Sequence, residues 1–155
     1  MPTVSRTFAV SPPPTVVLDY LKDFAHAEQW DPGTQRCERI DSGPVTEGAY
    51  WHSVSRILGR TAELTYTLDE LTDRRLVFVG ESSSATSVDT ITIEPDGAGS
   101  VITYEAERQM HGTARVLNPV IKLAIERLAG DTERQLTAVL NDLAHQPDQA
   151  RGASR

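Results

Sequence analysis

The last third of the chain constrains the fold most. From Asn118 to about Ala144 the sequence is helix-capable, with Leu117, Ile121, Ala124 and Leu128 recurring at helical spacing. Val120, Ile125, Leu136, Val139, Leu140 and Leu143 widen that stripe until the helix is apolar over more than half its circumference. At about 1.5 Å per residue it is roughly 39 Å long, too long for one strand or one short helix to cover. Segments of period two precede it, so the expected partner is a curved sheet.

Those segments are bounded by turn residues. Thr3 to Val10 alternates and is stopped by Ser11-Pro12-Pro13-Pro14, where Pro14 suits the first position of a helix. Val17, Tyr20, Leu21 and Phe24 then fall at i, i+3, i+4 and i+7, predicting an amphipathic helix of about three turns. Ala25 to Gly33 predicts a further short turn of helix ended by Asp31-Pro32-Gly33, and Arg36 to Asp41 a short strand broken by Ser42-Gly43-Pro44. Ala49 to Leu58, Ala62 to Leu71, Leu76 to Ser82, Thr86 to Glu94 and Ser100 to Arg108 read as an antiparallel meander with hairpin-length connections. Residues 1–145 are read as one domain and Gln146 to Arg155 as a disordered tail.

Composition narrows the partners. Among 155 residues, 15 Lys and Arg stand against 22 Asp and Glu, and the formal charge of -7 repels phosphate backbones and anionic headgroups. Nucleic acid is not an expected partner. The single Cys37 excludes an internal disulfide, the first ten residues lack a continuous apolar run, and no segment approaches the ~20 apolar residues of a membrane span. A cytoplasmic location is expected. Phosphate-loop, His-Glu-x-x-His, Cys-x-x-Cys and Gly-x-Ser-x-Gly patterns are missing from the sequence, so neither a metal nor a cofactor is expected.

A six- or seven-stranded twisted sheet wrapped around one helix leaves a space that side chains or a ligand must fill. Leu64, Tyr66 and Leu68 alternate with Glu63, Thr65 and Thr67 and point to the core. In the preceding strand Trp51, Ser53, Ser55 and Ile57 compete for the inner face with Tyr50, His52, Val54 and Leu58, and the first set is preferred. Asp89 and Ile91 are preferred over Val88 and Thr90 in the same way, and Phe78 and Tyr104 complete the sheet's share of the expected lining. Leu117, Ile121, Ala124 and Leu128 supply the helix's share. Large apolar residues beside small and polar ones suit a lined pocket, the alternative being an ordinary packed core.

Further pieces carry a resemblance. The proline-led helix through Val16-Val17-Leu18-Asp19-Tyr20-Leu21-Lys22-Asp23-Phe24 leads into Glu28-Gln29-Trp30-Asp31-Pro32-Gly33. Leu58-Gly59-Arg60, Tyr66-Thr67-Leu68-Asp69-Glu70, Arg75-Leu76-Val77-Phe78, Asp89-Thr90-Ile91-Thr92-Ile93-Glu94-Pro95, Thr103-Tyr104-Glu105 and Gly112 follow before the last helix. From about Thr3 to Leu143 the chain resembles the START-like (SRPBCC) superfamily, in particular its bacterial polyketide cyclase/dehydrase-like branch. The resemblance implies an α+β helix-grip fold: a curved seven-stranded antiparallel sheet around a long C-terminal helix, two small helices after the first strand, and a cavity beneath the long helix.

Four residues are weak candidates for catalysis. Asp89, if buried alone, makes a general acid or base with a raised pKa; if paired with an arginine its pKa falls, and a structural hydrogen bond is the plain alternative. His52 and His111 are the histidines nearest the expected cavity and either could transfer protons near neutral pH; His111, just before the last helix, is placed at the cavity mouth or in a solvated loop. Tyr66 and Tyr104 offer hydroxyls to a ligand carbonyl or simply pack. Arg56, Arg60 and Arg108 guard an entrance or solvate their strands. Three functions fit: binding of a small hydrophobic ligand (lipid-, polyketide- or isoprenoid-like), an aromatic polyketide cyclase or dehydratase, and a co-chaperone-like protein-interaction module.

Overall fold

Three successive prolines turn the chain out of its first strand and onto the face that the remaining strands enclose. The structure is a computed structural model that describes residues 2–57 and 59–145, with the side chains of Ile57, Ala144 and His145 outside the described set. The tail expected from Gln146 to Arg155 also lies outside the described residues. Strand β1 (Thr3–Val10) is followed by helix α1 (Pro14–Leu21), with Pro14 in its first turn. The helix stops at Leu21, a turn short of the expected length. Asp23 takes an extended backbone and accepts a hydrogen bond from the Ala25 N–H at 3.1 Å, starting a separate 3-10 turn at Phe24–His26. Helix α2 (Ala27–Trp30) continues from it.

Seven strands then make one antiparallel sheet in the order β1-β7-β6-β5-β4-β3-β2. Strand β2 (Thr34–Arg39) begins two residues before the expected start, because Asp31 gathers the Gly33 N–H and the Thr34 hydroxyl into a tight turn. The others are β3 (Tyr50–Ile57), β4 (Arg60–Leu71), β5 (Arg75–Glu81), β6 (Ala85–Asp96) and β7 (Gly99–Met110). Trp51, Ser53, Leu64, Tyr66, Leu68, Asp89, Ile91 and Ile93 are all buried on the concave face, whereas Tyr50 is exposed.

A 3-10 segment (Gly112–Leu117) leads into helix α3 (Asn118–His145), 28 residues long, which packs against β1, β7 and α2. Its buried seam is Ile121, Ile125, Ala129, Thr132, Leu136 and Leu140, steps of three and four. The seam is narrower than the sequence implied: Val120, expected to widen it, and Leu123 face solvent. None of the described helices is long and apolar enough to cross a membrane.

The interior is filled unevenly. Phe24 drops from its 3-10 turn onto the sheet, with its ring 4.5 Å from both Phe78 and Tyr66 and 6.2 Å from both Trp30 and Trp51. Asp23 locks this plug in place by accepting a hydrogen bond from the Trp51 indole at 3.0 Å. Such a cluster of four large rings and a tyrosine excludes water from one half of the concave face.

Candidate functional site

The pairing register divides the concave face into rows. Arg108, Ser87, Gly80, Tyr66 and Trp51 stand side by side across β7, β6, β5, β4 and β3. Ala106, Asp89, Phe78 and Leu68 form the next row, and Tyr104, Ile91 and Leu76 the one after. The Phe24 plug lies against Trp51 and Tyr66 in the first row and Phe78 in the second. Toward β7 and beneath the first half of α3 the described residues leave a cavity of about 570 Å³, bordered by Tyr66, Arg108, Ala106 and Tyr104 from the three rows.

Apolar groups make most of the cavity wall: Leu64 and Ala62 from β4, Ala106 and Met110 from β7, and Leu117, Ile121, Ile125, Leu128 and Ala129 from the helical side. Arg60, Thr61, Ser82, Ser83, Ser84 and Thr86 supply a polar mouth from two hairpins, while Ser55, Asp31 and Gly33 close the flank. Tyr66 owes its position to Gly80. A Cβ on residue 80 would stand 2.6 Å from the tyrosine ring, so only glycine lets the ring lie against β5.

The floor is charged. Arg108 donates through Nη1 to Asp89 Oδ1 at 2.7 Å and to the Glu107 carbonyl at 3.0 Å, and the Tyr104 hydroxyl donates to the same Asp89 oxygen at 3.5 Å. Asp89 is 1% exposed, and its Oδ2 has no partner among the described residues. Burial opposes the charge on Arg108, but Asp89 and the two tyrosines outweigh it and push its pKa well above the usual arginine value. Burial likewise raises the Tyr104 and Tyr66 hydroxyls; Asp89 adds to both shifts and Arg108 opposes them. Asp31 is raised by burial first, with Arg108 opposing and Asp89 adding to the shift. At neutral pH the floor therefore offers a fixed cation and two protonated phenols, donors suited to a carbonyl, enolate or carboxylate oxygen.

Of the residues expected to line a ligand cavity, Ser55, Leu64, Tyr66, Tyr104, Leu117, Ile121 and Leu128 border this hollow. Trp51, Ser53, Leu68, Phe78 and Ile91 do not. They lie on the expected face, but Trp51, Leu68, Phe78 and Ile91 belong to the sealed half, where the Phe24 plug occupies the space a ligand would need. Ser53 is buried with its hydroxyl 3.5 Å from that of Ser55. Ala124 is half-buried beside the wall, because the helix turns Ile125 inward instead. Asp89 sits one row beneath the floor and reaches the cavity only through Arg108 and Tyr104. The Ile57 side chain lies outside the described residues.

Neither His111 nor His52 joins the floor. His111 holds Thr86 Oγ1 through Nε2 at 2.7 Å, and its N–H donates to the Ser84 carbonyl, tying the chain leaving β7 to the mouth hairpin. His52 faces outward and pairs with Glu63 at 3.0 Å. Arg108 and Asp31 are the functional candidates that sequence reasoning missed as cavity residues. Arg108 had a legible signal, since it continues the inward alternation Ile102, Tyr104, Ala106. Asp31 had none, because an Asp-Pro-Gly turn explains an aspartate without any cavity. Among the described residues no group of acidic, histidine and cysteine side chains could hold a metal ion.

Comparison with known proteins agrees with this architecture. A family model described as polyketide cyclase/dehydrase and lipid transport matches residues 1–145. Among solved structures, the Zhui aromatase/cyclase from Streptomyces sp. R1128 superposes with a TM-score of 0.72 at 14% identity, covering 92% of this chain and 94% of that one. A START superfamily protein from Mycobacterium smegmatis gives 0.69 at 17% identity, covering 93% and 97%. The protein TTHA0849 from Thermus thermophilus gives 0.69 at 14% identity, covering 89% and 99%. No curated protein sequence matches the chain. At these identities the structural likeness establishes the fold, and the family match establishes the lineage: the chain belongs to the polyketide cyclase/dehydrase and lipid transport family, with the helix-grip fold of the START-like superfamily.

Proposed function

We propose that residues 1–145 act in the cytoplasm as one unit that binds a small, mostly apolar molecule of lipid, polyketide or isoprenoid type between the sheet and α3. The observation that carries this reading is an apolar-walled cavity of about 570 Å³ whose floor holds Arg108, paired with Asp89 beneath it, and two phenols. A volume of this size falls within the range of small-molecule sites. The apolar body lies along Leu64, Ile121, Ile125 and Leu128, and a polar end meets Arg108, Tyr66 and Tyr104. Gentle native mass spectrometry of freshly purified protein, followed by solvent extraction, tests it. A stoichiometric amphiphile is expected, and Ala129→Trp, which fills the space, should abolish it. An empty cavity in every preparation, together with no uptake of any offered fatty acid, polyketide or prenol, would sink the reading.

A second reading is an aromatic polyketide cyclase or dehydratase, and the clustering of Asp31 with Arg108, Tyr66 and Tyr104 favours it. Ring closure needs a base to remove an α-proton and donors to hold the enolate oxygen. Asp31 is the group here able to take a proton, and Arg108 with the two phenols are the donors. Turnover of a poly-β-ketone substrate should fall at least about a hundredfold in Asp31→Asn. Unchanged turnover in Asp31→Asn combined with Tyr66→Phe and Tyr104→Phe would exclude this chemistry.

A further inference from the structure

The helical segment that roofs the cavity has a second apolar face. Leu117, Ile121 and Leu128 turn into the cavity, whereas Val116, Val120 and Leu123 recur at i, i+4 and i+7 and turn outward. They are 79%, 45% and 66% exposed, and nothing in the described fold covers them. They account for half of the exposed large hydrophobic residues among the described residues, and they lie within eight positions of one another beside the mouth. A stripe of this kind is unlike scattered surface aliphatics, which need no explanation.

The charges around the stripe identify what it meets. Between Glu107 and Glu126 the chain has no acidic residue, although it carries 22 elsewhere. Within that interval Arg115 and Lys122 are exposed alongside Val116, Val120 and Leu123, and Arg60 stands across the mouth on the β3–β4 hairpin. A short amphipathic element with aliphatic residues flanked by cations, and without anions, is the pattern that settles at an anionic bilayer surface. A second copy of the chain would set Arg115 and Lys122 of one copy near those of the other if the stripes paired. A bilayer gives the aliphatic groups a hydrocarbon boundary and gives the cations headgroup phosphates.

We infer that the outward face of the Gly112–Leu117 segment and the first turns of α3 docks reversibly on an anionic lipid surface, with the cavity mouth held against the membrane. The net charge of -7 repels such a surface at long range, but screening confines that repulsion to about 8 Å at physiological salt. Docking is therefore oriented, since the face built from the interval between Glu107 and Glu126 carries no acidic residue, and Glu63, the exposed acid that also borders the cavity, is paired with His52. Three aliphatic side chains and a few cations give a weak, salt-sensitive attachment, suited to loading or releasing a ligand. The docking itself stands apart from the ligand reading; its use in exchange rests on that reading.

Vesicle flotation tests the docking. The chain should float with phosphatidylcholine vesicles containing phosphatidylserine at low salt, and should stay in the aqueous phase with pure phosphatidylcholine or at high salt. Arg115→Glu with Lys122→Glu should lower partitioning by roughly 30-fold or more, and Val116→Ser with Leu123→Ser should lower it by at least about tenfold. These side chains face outward, so an unchanged circular dichroism spectrum is expected in both variants. No flotation with phosphatidylserine vesicles, or flotation that both variants leave intact, overturns the proposal. So does a concentration-dependent dimer that Leu123→Ser dissolves, since the stripe would then belong to a second copy. Native mass spectrometry of the same variants separates the two readings: ligand retained with flotation lost is expected, whereas flotation by a chain that neither carries nor takes up any offered ligand leaves the docking standing and removes the cavity reading.

Discussion

The two halves of the concave face come from the same strands and the same alternation, yet one is solid and the other hollow. In the solid half Trp51, Leu68, Phe78 and Ile91 meet Phe24 and Trp30, which descend from the short helical turns. In the hollow half Leu64, Tyr66 and Arg108 face α3 across open space. What lies above the sheet differs, and the sheet does not. A cavity in this fold is thus a matter of where the β1–β2 connection stops covering the sheet. That stop comes at Asp31 and Gly33, which form the cavity's edge.

The contrast can be broken most forcefully at Phe24. Removing that ring leaves a void among packed aromatics, so Phe24→Ala should cost about 3 to 5 kcal/mol in denaturant unfolding, whereas Leu128→Ala, whose side chain already borders empty space, should cost no more than about 2. Equal losses would mean that the two halves are packed alike. Next in size is the floor pair. Asp89→Ala leaves Arg108 without its anion and should destabilise by about 3 kcal/mol, much of which Asp89→Ala with Arg108→Met should restore. A smaller effect is expected at the boundary between the halves. Gly80→Ala pushes the Tyr66 ring off β5, costing about 1 to 3 kcal/mol and shrinking the cavity, which ligand uptake would report as a shift toward smaller molecules.

A pH experiment sharpens the same boundary. The folded pKa of Asp31 is raised above the ordinary 3.8, so the folded state binds its proton more tightly than the unfolded chain does. The associated stability is present below 3.8 and is lost as pH rises through the raised value. Asp31→Asn should therefore gain stability relative to the native chain across that interval, and the two pH profiles should run parallel above it. Profiles parallel throughout would remove Asp31 from the set of perturbed groups. The smallest effect belongs to the convex face. His52→Ala breaks an exposed pair with Glu63 and should change stability by less than about 0.5 kcal/mol.

Legibility in the sequence followed the same division. Strand positions, the long helix and the inward faces of β3, β4 and β6 could be read because burial on a sheet leaves a period-two trace and on a helix a period of three and four. The cavity could be read only in part. Leu64 and Phe78 carry the same local signature, a large apolar residue on an inward face, although one lines the hollow and the other is sealed. No local pattern distinguishes a side chain facing a ring from one facing space. Asp89 was read as an inward-facing cavity residue; it does face inward, but it meets the cavity only through Arg108 and Tyr104, since its depth depends on cross-strand register. The helix was read as too broadly buried, because apolarity marks Val120 and Ile121 alike while only the second has anything to pack against.

The sequence by itself determined the element order, the antiparallel meander and the helix it encloses, because each depends on residues close together in the chain and on their periodicity. Only the tertiary structure decided that α1 ends at Leu21 so that Phe24 can plug the sheet, that Arg108 meets Asp89 across a strand pair, and that a hollow remains beneath the first half of α3. Those features arise from side chains that are distant in sequence, and their contacts exist only once the sheet has curved and the helix has settled on its edge.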